Sequence, residues 1–97
     1  MRKEDIARIV ERICQSRELS VEQFYDGTNS HAYTTRYMVW GYLHGLGVTT
    51  YELAAIFKRS RRNICYGLRT LRNLVKYQMG FREMYAATLR SLEDLAD

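Results

Sequence analysis

Apolar residues recur along this chain at intervals of three and four, the spacing that lines one face of an α-helix. From Asp5 to about Arg17, Ile6, Ile9, Val10 and Ile13 define an amphipathic helix whose polar side carries Glu4, Arg8, Glu11 and Arg12. This is read as a core-packing helix. Ser20-Val21-Glu22-Gln23 has the capping-box pattern and starts a short helix expected to carry Phe24 and Tyr25 inward. Asp26-Gly27-Thr28-Asn29-Ser30 then runs turn-forming residues together and reads as a loop. A third helix is predicted from about Tyr33 to Leu46, with Tyr33, Tyr37, Val39, Trp40, Leu43 and Leu46 on a broad apolar face and Gly47 placed to end it.

Two local devices fix the next start. Thr49 and Glu52 form a capping box, and Val48 and Leu53 occupy the hydrophobic-staple positions around it. Leu53, Ile56 and Phe57 are expected on the buried side of this helix, while Ala54 and Ala55 leave room for a neighbour. The helix must stop before Ser60, whose hydroxyl can cap the following one, so Lys58-Arg59-Ser60 is the whole connection. In the helix that follows, to Tyr77, Ile64, Leu68, Leu71 and Val75 form an inner stripe at about 100° per residue. Roughly opposite lie Arg62, Tyr66, Arg69 and Asn73, flanked by Arg72 and Lys76. From Gly80 onward Phe81, Met84, Tyr85, Leu89, Leu92 and Leu95 or Ala96 describe a last amphipathic helix over about residues 80–96. It is expected either to close the core over the first helix or to form a seam with a second copy or a partner protein.

Ninety-seven residues with no proline and six glycines, patterned in this way, predict one all-α domain of five to six helices containing a helix-turn-helix at about residues 49–77. Charge sharpens that picture. Between Leu53 and Arg82 stand eight Lys or Arg and no Asp or Glu, while the remainder holds seven Lys or Arg against eleven Asp or Glu. A cationic segment set apart in this way is the footprint of a polyanion binder. Cations in the first turn of a helix oppose its dipole by a few tenths of a kcal/mol or more, about what a phosphate or base-edge partner would offset. Arginine can pair bidentately with guanine and asparagine with adenine. Arg61, Arg62, Asn63 and Tyr66 are therefore the candidate base contacts, and Lys58, Arg59, Ser60, Arg69, Arg72 and Lys76 the candidate phosphate contacts. The second reading is an adaptor whose basic helix docks on an acidic protein.

Other chemistries find little footing. Cys14 and Cys65 lack partners at metal-ligand spacing and read as thiols beside apolar faces, and His31 and His44 have no ligand-like neighbours. No paired carboxylates and no Cys-His or Ser-His constellation can be placed, so neither an enzyme nor a bound cofactor is expected. The chain shows no signal peptide and no long apolar run, from which a cytoplasmic, nucleoid-associated protein is expected, with no membrane partner.

The order of elements, with Thr49-Thr50-Tyr51-Glu52-Leu53-Ala54-Ala55-Ile56-Phe57 followed by a tight turn and Arg61-Arg62-Asn63-Ile64-Cys65-Tyr66-Gly67-Leu68-Arg69-Thr70-Leu71, resembles the C-terminal DNA-binding domain of the bacterial replication initiator DnaA. The likeness spans roughly Ile6 to Val75. It implies double-stranded DNA as ligand, with the start of the basic helix (Arg61, Arg62, Asn63) in the major groove. It also implies a loop before the long helix that reaches the minor groove; here that loop has no Lys or Arg, which leaves Asn29, Ser30, His31 and Arg36 as its candidate contacts. No Gly-rich phosphate loop is present, so a role in replication or transcription control without ATPase activity is expected.

Overall fold

A computed structural model describes residues 1–93. Six helices follow one another: α1 (Lys3–Ser16), α2 (Val21–Asp26), α3 (Ser30–Gly45), α4 (Thr50–Phe57), α5 (Arg61–Tyr77) and α6 (Phe81–Arg90). Among the described residues there is no strand, and no helix is long and apolar enough to cross a membrane. The all-α expectation holds, with six helices in place of five to six.

Short-range chemistry sets most of the boundaries. The Ser20 hydroxyl accepts the Gln23 N–H at 3.0 Å to start α2. At α4 the Thr49 N–H donates to Glu52 Oε1 and the Glu52 N–H to Thr49 Oγ1, which completes the capping box. That backbone bond from Thr49 also holds the Glu52 carboxyl below the usual carboxylate range. Val48 and Leu53, the staple pair, are both buried. Gly47 takes φ +100° and α3 closes in a Schellman turn, with Val48 N–H on Leu43 O and Gly47 N–H on His44 O. α1 ends the same way through Glu18, a non-glycine at φ 55°.

Several boundaries and faces differ from the expectation. α3 starts at Ser30, three residues before Tyr33, because the Asn29 side chain accepts the Ala32 N–H at 2.8 Å. Asn favours caps and loops alike, so a run of turn formers hides the cap. α6 ends at Arg90 with Ser91 as its C-cap. The expected extension to about residue 96, with Leu95 and Ala96, otherwise lies outside the described residues. Tyr25, Tyr33, Leu46 and Ile56 were expected inside and are exposed, Tyr25 and Tyr33 while still in ring contact with Phe24 and Tyr37.

α3 is the central post. It touches α1, α2, α4 and α5, and every residue from Thr35 to Trp40 is buried. Such encirclement leaves it no single apolar stripe. Trp40 lies at its middle, with Tyr37 at 5.7 Å and Phe57 at 6.3 Å between ring centroids. Its Nε1–H is buried without a hydrogen-bond partner. That loss costs about 1–3 kcal/mol, less than the about 4–6 kcal/mol from burying an aromatic ring of this size. α5 crosses α3 closely enough that a Cβ on Gly67 would lie 2.6–2.7 Å from Tyr37 Cδ1 and Trp40 Cε3 and Cζ3. A Cβ on Gly41 would collide with Leu71 Cδ2 in the same crossing. α6 lies over α1 and α5, with Phe81 and Leu92 in the core and Met84, Tyr85 and Leu89 packed against it. Of the two expected roles for the last helix, its apolar face takes the first, closing the core.

Gly67→Ala therefore reverses the usual helix preference. Alanine gains up to about 1 kcal/mol over glycine in an open helix, but here the added methyl should cost a net ~1–3 kcal/mol through overpacking. Gly45→Ala, where a Cβ meets nothing within 4 Å, should be neutral or slightly stabilising. Urea unfolding of the two variants checks the contrast, and equal stabilities would contradict the close crossing.

Cys14 is 1% exposed, and burial pushes its thiol up to about 11 from 9.0. The unfolded chain releases that proton near its ordinary pKa, whereas the folded chain keeps it until about pH 11. Folding thus binds the proton more tightly, and stability should fall by about 2 kcal/mol as pH rises through this window. Denaturant titrations of wild type and Cys14→Ala at pH 8 and pH 10.5 should show a steeper loss in the wild type.

Candidate nucleic-acid interface

α4 and α5 are joined by Lys58, Arg59 and Ser60 alone, as the caps at either side require. Lys58 makes the bend in the left-handed region at φ 54°, and the Arg59 N–H returns to Ala54 O at 3.0 Å. A non-glycine there stores about 1 kcal/mol. Ser60 then accepts the Asn63 N–H at 3.1 Å, which leaves its own hydroxyl proton to donate outward. The direction of α5 is thereby set at its first turn, and Ile64, Gly67 and Leu71 seat it on the core.

The opposite side of α5 is open. Arg62, Asn63, Tyr66, Arg69, Arg72, Asn73 and Lys76 are all exposed. Among the described residues the one ion pair within 4.0 Å joins Arg2 to Asp5, far along the chain, so no carboxylate neutralises this face. α5 has no acidic residue in its first turn, where its N–H groups and the positive end of its dipole lie. The helix carries like charges at the three- and four-residue spacings Arg69, Arg72 and Lys76, an arrangement that costs about 0.2–0.5 kcal/mol per pair in water.

Two of the candidate arginines are partly engaged. Arg61 donates from Nε to Thr50 Oγ1 at 3.1 Å and lies 4.3 Å over the Tyr51 ring, so α4 holds it at the edge of the face. Arg59 donates to Tyr25 O at 2.8 Å, a carbonyl at the end of α2, while remaining part-exposed. Tyr51, itself 69% exposed, is a member of this surface that the helical pattern does not single out, because its partner lies ten residues on. At the far end Lys76 reaches over the Tyr77 ring at 5.2 Å.

The loop candidates are not an extended arm. Arg36 is a correction: it is 4% exposed, donating to Phe24 O at 2.6 Å and Gly27 O at 3.0 Å. Burial and then the nearby Arg59 lower its pKa, and the carbonyl end of α2 compensates its charge. Asn29 caps α3 with its side chain. His31 presents Nε2 to Arg17 O at 2.7 Å and Nδ1 to the Arg17 guanidinium at 3.1 Å, which sets the tautomer with the proton on Nε2. Among the described residues, the Ser30 side chain alone of the four has no hydrogen-bond partner.

Tyr33 was read as core, yet it stands 41% exposed beside Tyr37, Ser60, Arg62, Asn63 and Tyr66, around a cleft of about 420 Å³. Apolar spacing places Tyr33 inward, and no signal in the sequence marks it as part of this surface. Cys65 is half-buried and Cys14 buried, and the described residues contain no group of three His, Cys, Asp or Glu that could hold a metal ion. Set against known proteins, the chain matches no family model, and no curated protein or solved structure matches it.

Proposed function

We propose that this chain binds double-stranded DNA as a helix-turn-helix domain, with α4 across the backbone and α5 in a major groove. The observation that carries the reading is the outward side of α5, a continuous exposed line of arginine, asparagine, tyrosine and lysine with no carboxylate against it among the described residues. Arg62, Asn63 and Tyr66 then meet base edges, with Arg61 beside them on the α4 side. Lys58, Arg59, Ser60, Arg69, Arg72 and Lys76 meet phosphates, which position the helix without reading sequence. On the order of α1 to α5 we carry forward the resemblance to the DnaA C-terminal domain as part of this proposal, and with it a role in replication or transcription control. The engagement of Asn29, His31 and Arg36 within the fold restricts the contact to one groove.

Five cations on phosphates predict that log affinity falls with log salt at a slope of about −4 to −5. Anisotropy titrations of a duplex at several salt concentrations measure it, and a slope near zero would reject the arrangement.

Once bound duplexes have been selected from a random pool, Arg62→Ala should cost about 1–3 kcal/mol on the selected sequence and far less on a scrambled one. Lys76→Ala should weaken both alike and make the salt slope shallower by about 0.9. The two variants behaving identically on both duplexes would contradict this division of roles.

A further inference from the structure

We propose that the cleft between the starts of α3 and α5 receives one unstacked nucleotide from a DNA strand lying along α5, an inference that rests on the duplex-binding reading above. The cleft is lined by Tyr33, Tyr37, Ser60, Arg62, Asn63 and Tyr66. Tyr37 is its buried floor, with ring centroids 6.5 Å from Tyr33 at 32° and 6.4 Å from Tyr66 at 77°. The walls stay open, Tyr33 41% and Tyr66 58% exposed. Tyr33 carries the Arg36 guanidinium 4.6 Å from its ring centroid, and that guanidinium is itself fixed by two carbonyls, so the wall is held in place.

Exposed aromatic faces gain by stacking a planar heteroaromatic ring, and every nucleobase has one. The polar part of the lining supplies the rest of a nucleotide's complement. Arg62 adds a positive charge at the rim, and the Asn63 carboxamide can donate to and accept from a base edge. Arg62 gives the lining a positive charge that no carboxylate among its described residues offsets, which favours an anionic guest. Continuity settles which strand leads there: Arg62, Asn63 and Tyr66 belong both to the outward line of α5 and to the cleft. A base inside an intact duplex has both faces covered by its neighbours, so the occupant must be extrahelical. An unpaired or bulged nucleotide is the least costly to supply.

A free mononucleotide offers the same base and phosphate, and the test separates the two sources. Duplexes of one sequence carrying either a single extrahelical adenosine or an extrahelical abasic residue at the same place are compared by anisotropy, beside the continuous duplex. The full chain is expected to bind the adenosine bulge about tenfold more tightly than the abasic bulge. Tyr33→Ala and Tyr66→Ala should each bring that ratio to within about twofold of one, and Tyr66→Phe should keep it. Equal affinities for the two bulges in the wild type would overturn the inference; salt-dependent binding of the continuous duplex would then leave the duplex reading standing. No binding of any duplex would remove both. Displacement of the bulged duplex by micromolar deoxyadenosine monophosphate would overturn the strand as the source.

Discussion

At Gly67 the backbone of α5 lies directly against the rings of Tyr37 and Trp40, and the placement of the whole basic face follows from that contact. A helix that could not approach so closely would stand further from α3, and Leu71 would no longer reach over Gly41. Trp40 is costly in one respect, its buried Nε1–H having no acceptor. The indole fills the junction of α3, α4 and α5, in contact with Tyr37 and Phe57 and under Gly67. Leu71 reaching over Gly41 makes the crossing reciprocal, each helix giving up a side chain where the other presents one.

Electrostatics divides the arginines into two groups. Arg36 donates to carbonyls at the end of α2, where the helix dipole is negative, so its charge is balanced inside the fold, whereas Arg59 gives one bond to the same end and stays part-exposed. Arg62, Arg69, Arg72 and Lys76 have no such compensation. A helix selected only for stability would interleave glutamates at three- and four-residue spacing, as α1 does with Glu4, Arg8, Glu11 and Arg12. The absence of acids on α5 is therefore a local disadvantage that makes physical sense when a polyanion occupies the face, which is why this face, and not the net charge of +4, supports the proposed function.

Features written within four residues of one another were legible from the chain alone. The capping box at Thr49, the cap at Ser60, the three-residue connection and the left-handed Gly47 all stand where the spacing places them. Whatever depends on a distant partner was not. Arg36 looks like a loop cation until its acceptors, nine and twelve residues away, are known. Tyr33 and Ile56 satisfy the apolar spacing of their helices, but spacing gives a face and not the length of neighbour that covers it. The helical pattern does not single out Gly67, and its role as a point of close approach appears only when Trp40 is seen beneath it. Of the interface, the identity of the cations was readable, whereas which of them the fold already occupies was not.

The engagement of the loop before α3 bears on how much sequence such a surface could read. His31 has both ring nitrogens turned to Arg17, Asn29 caps the helix, and Arg17 itself donates onward to Thr35 and Met84, so this corner ties α1, α3 and α6 together. A corner tied up in this way is not free to thread a groove, and in the proposed reading recognition falls on α5 and the aromatic cleft at its start. α5 is about 25 Å long at 1.5 Å per residue, but its candidate base readers occupy only the first two turns, enough for a few base pairs. Extra discrimination from one domain would have to come from something other than more base-edge contacts. A tyrosine-walled cleft that senses whether a nucleotide can leave the stack is a means of that kind, since it reads the deformability of the strand and needs no further helix.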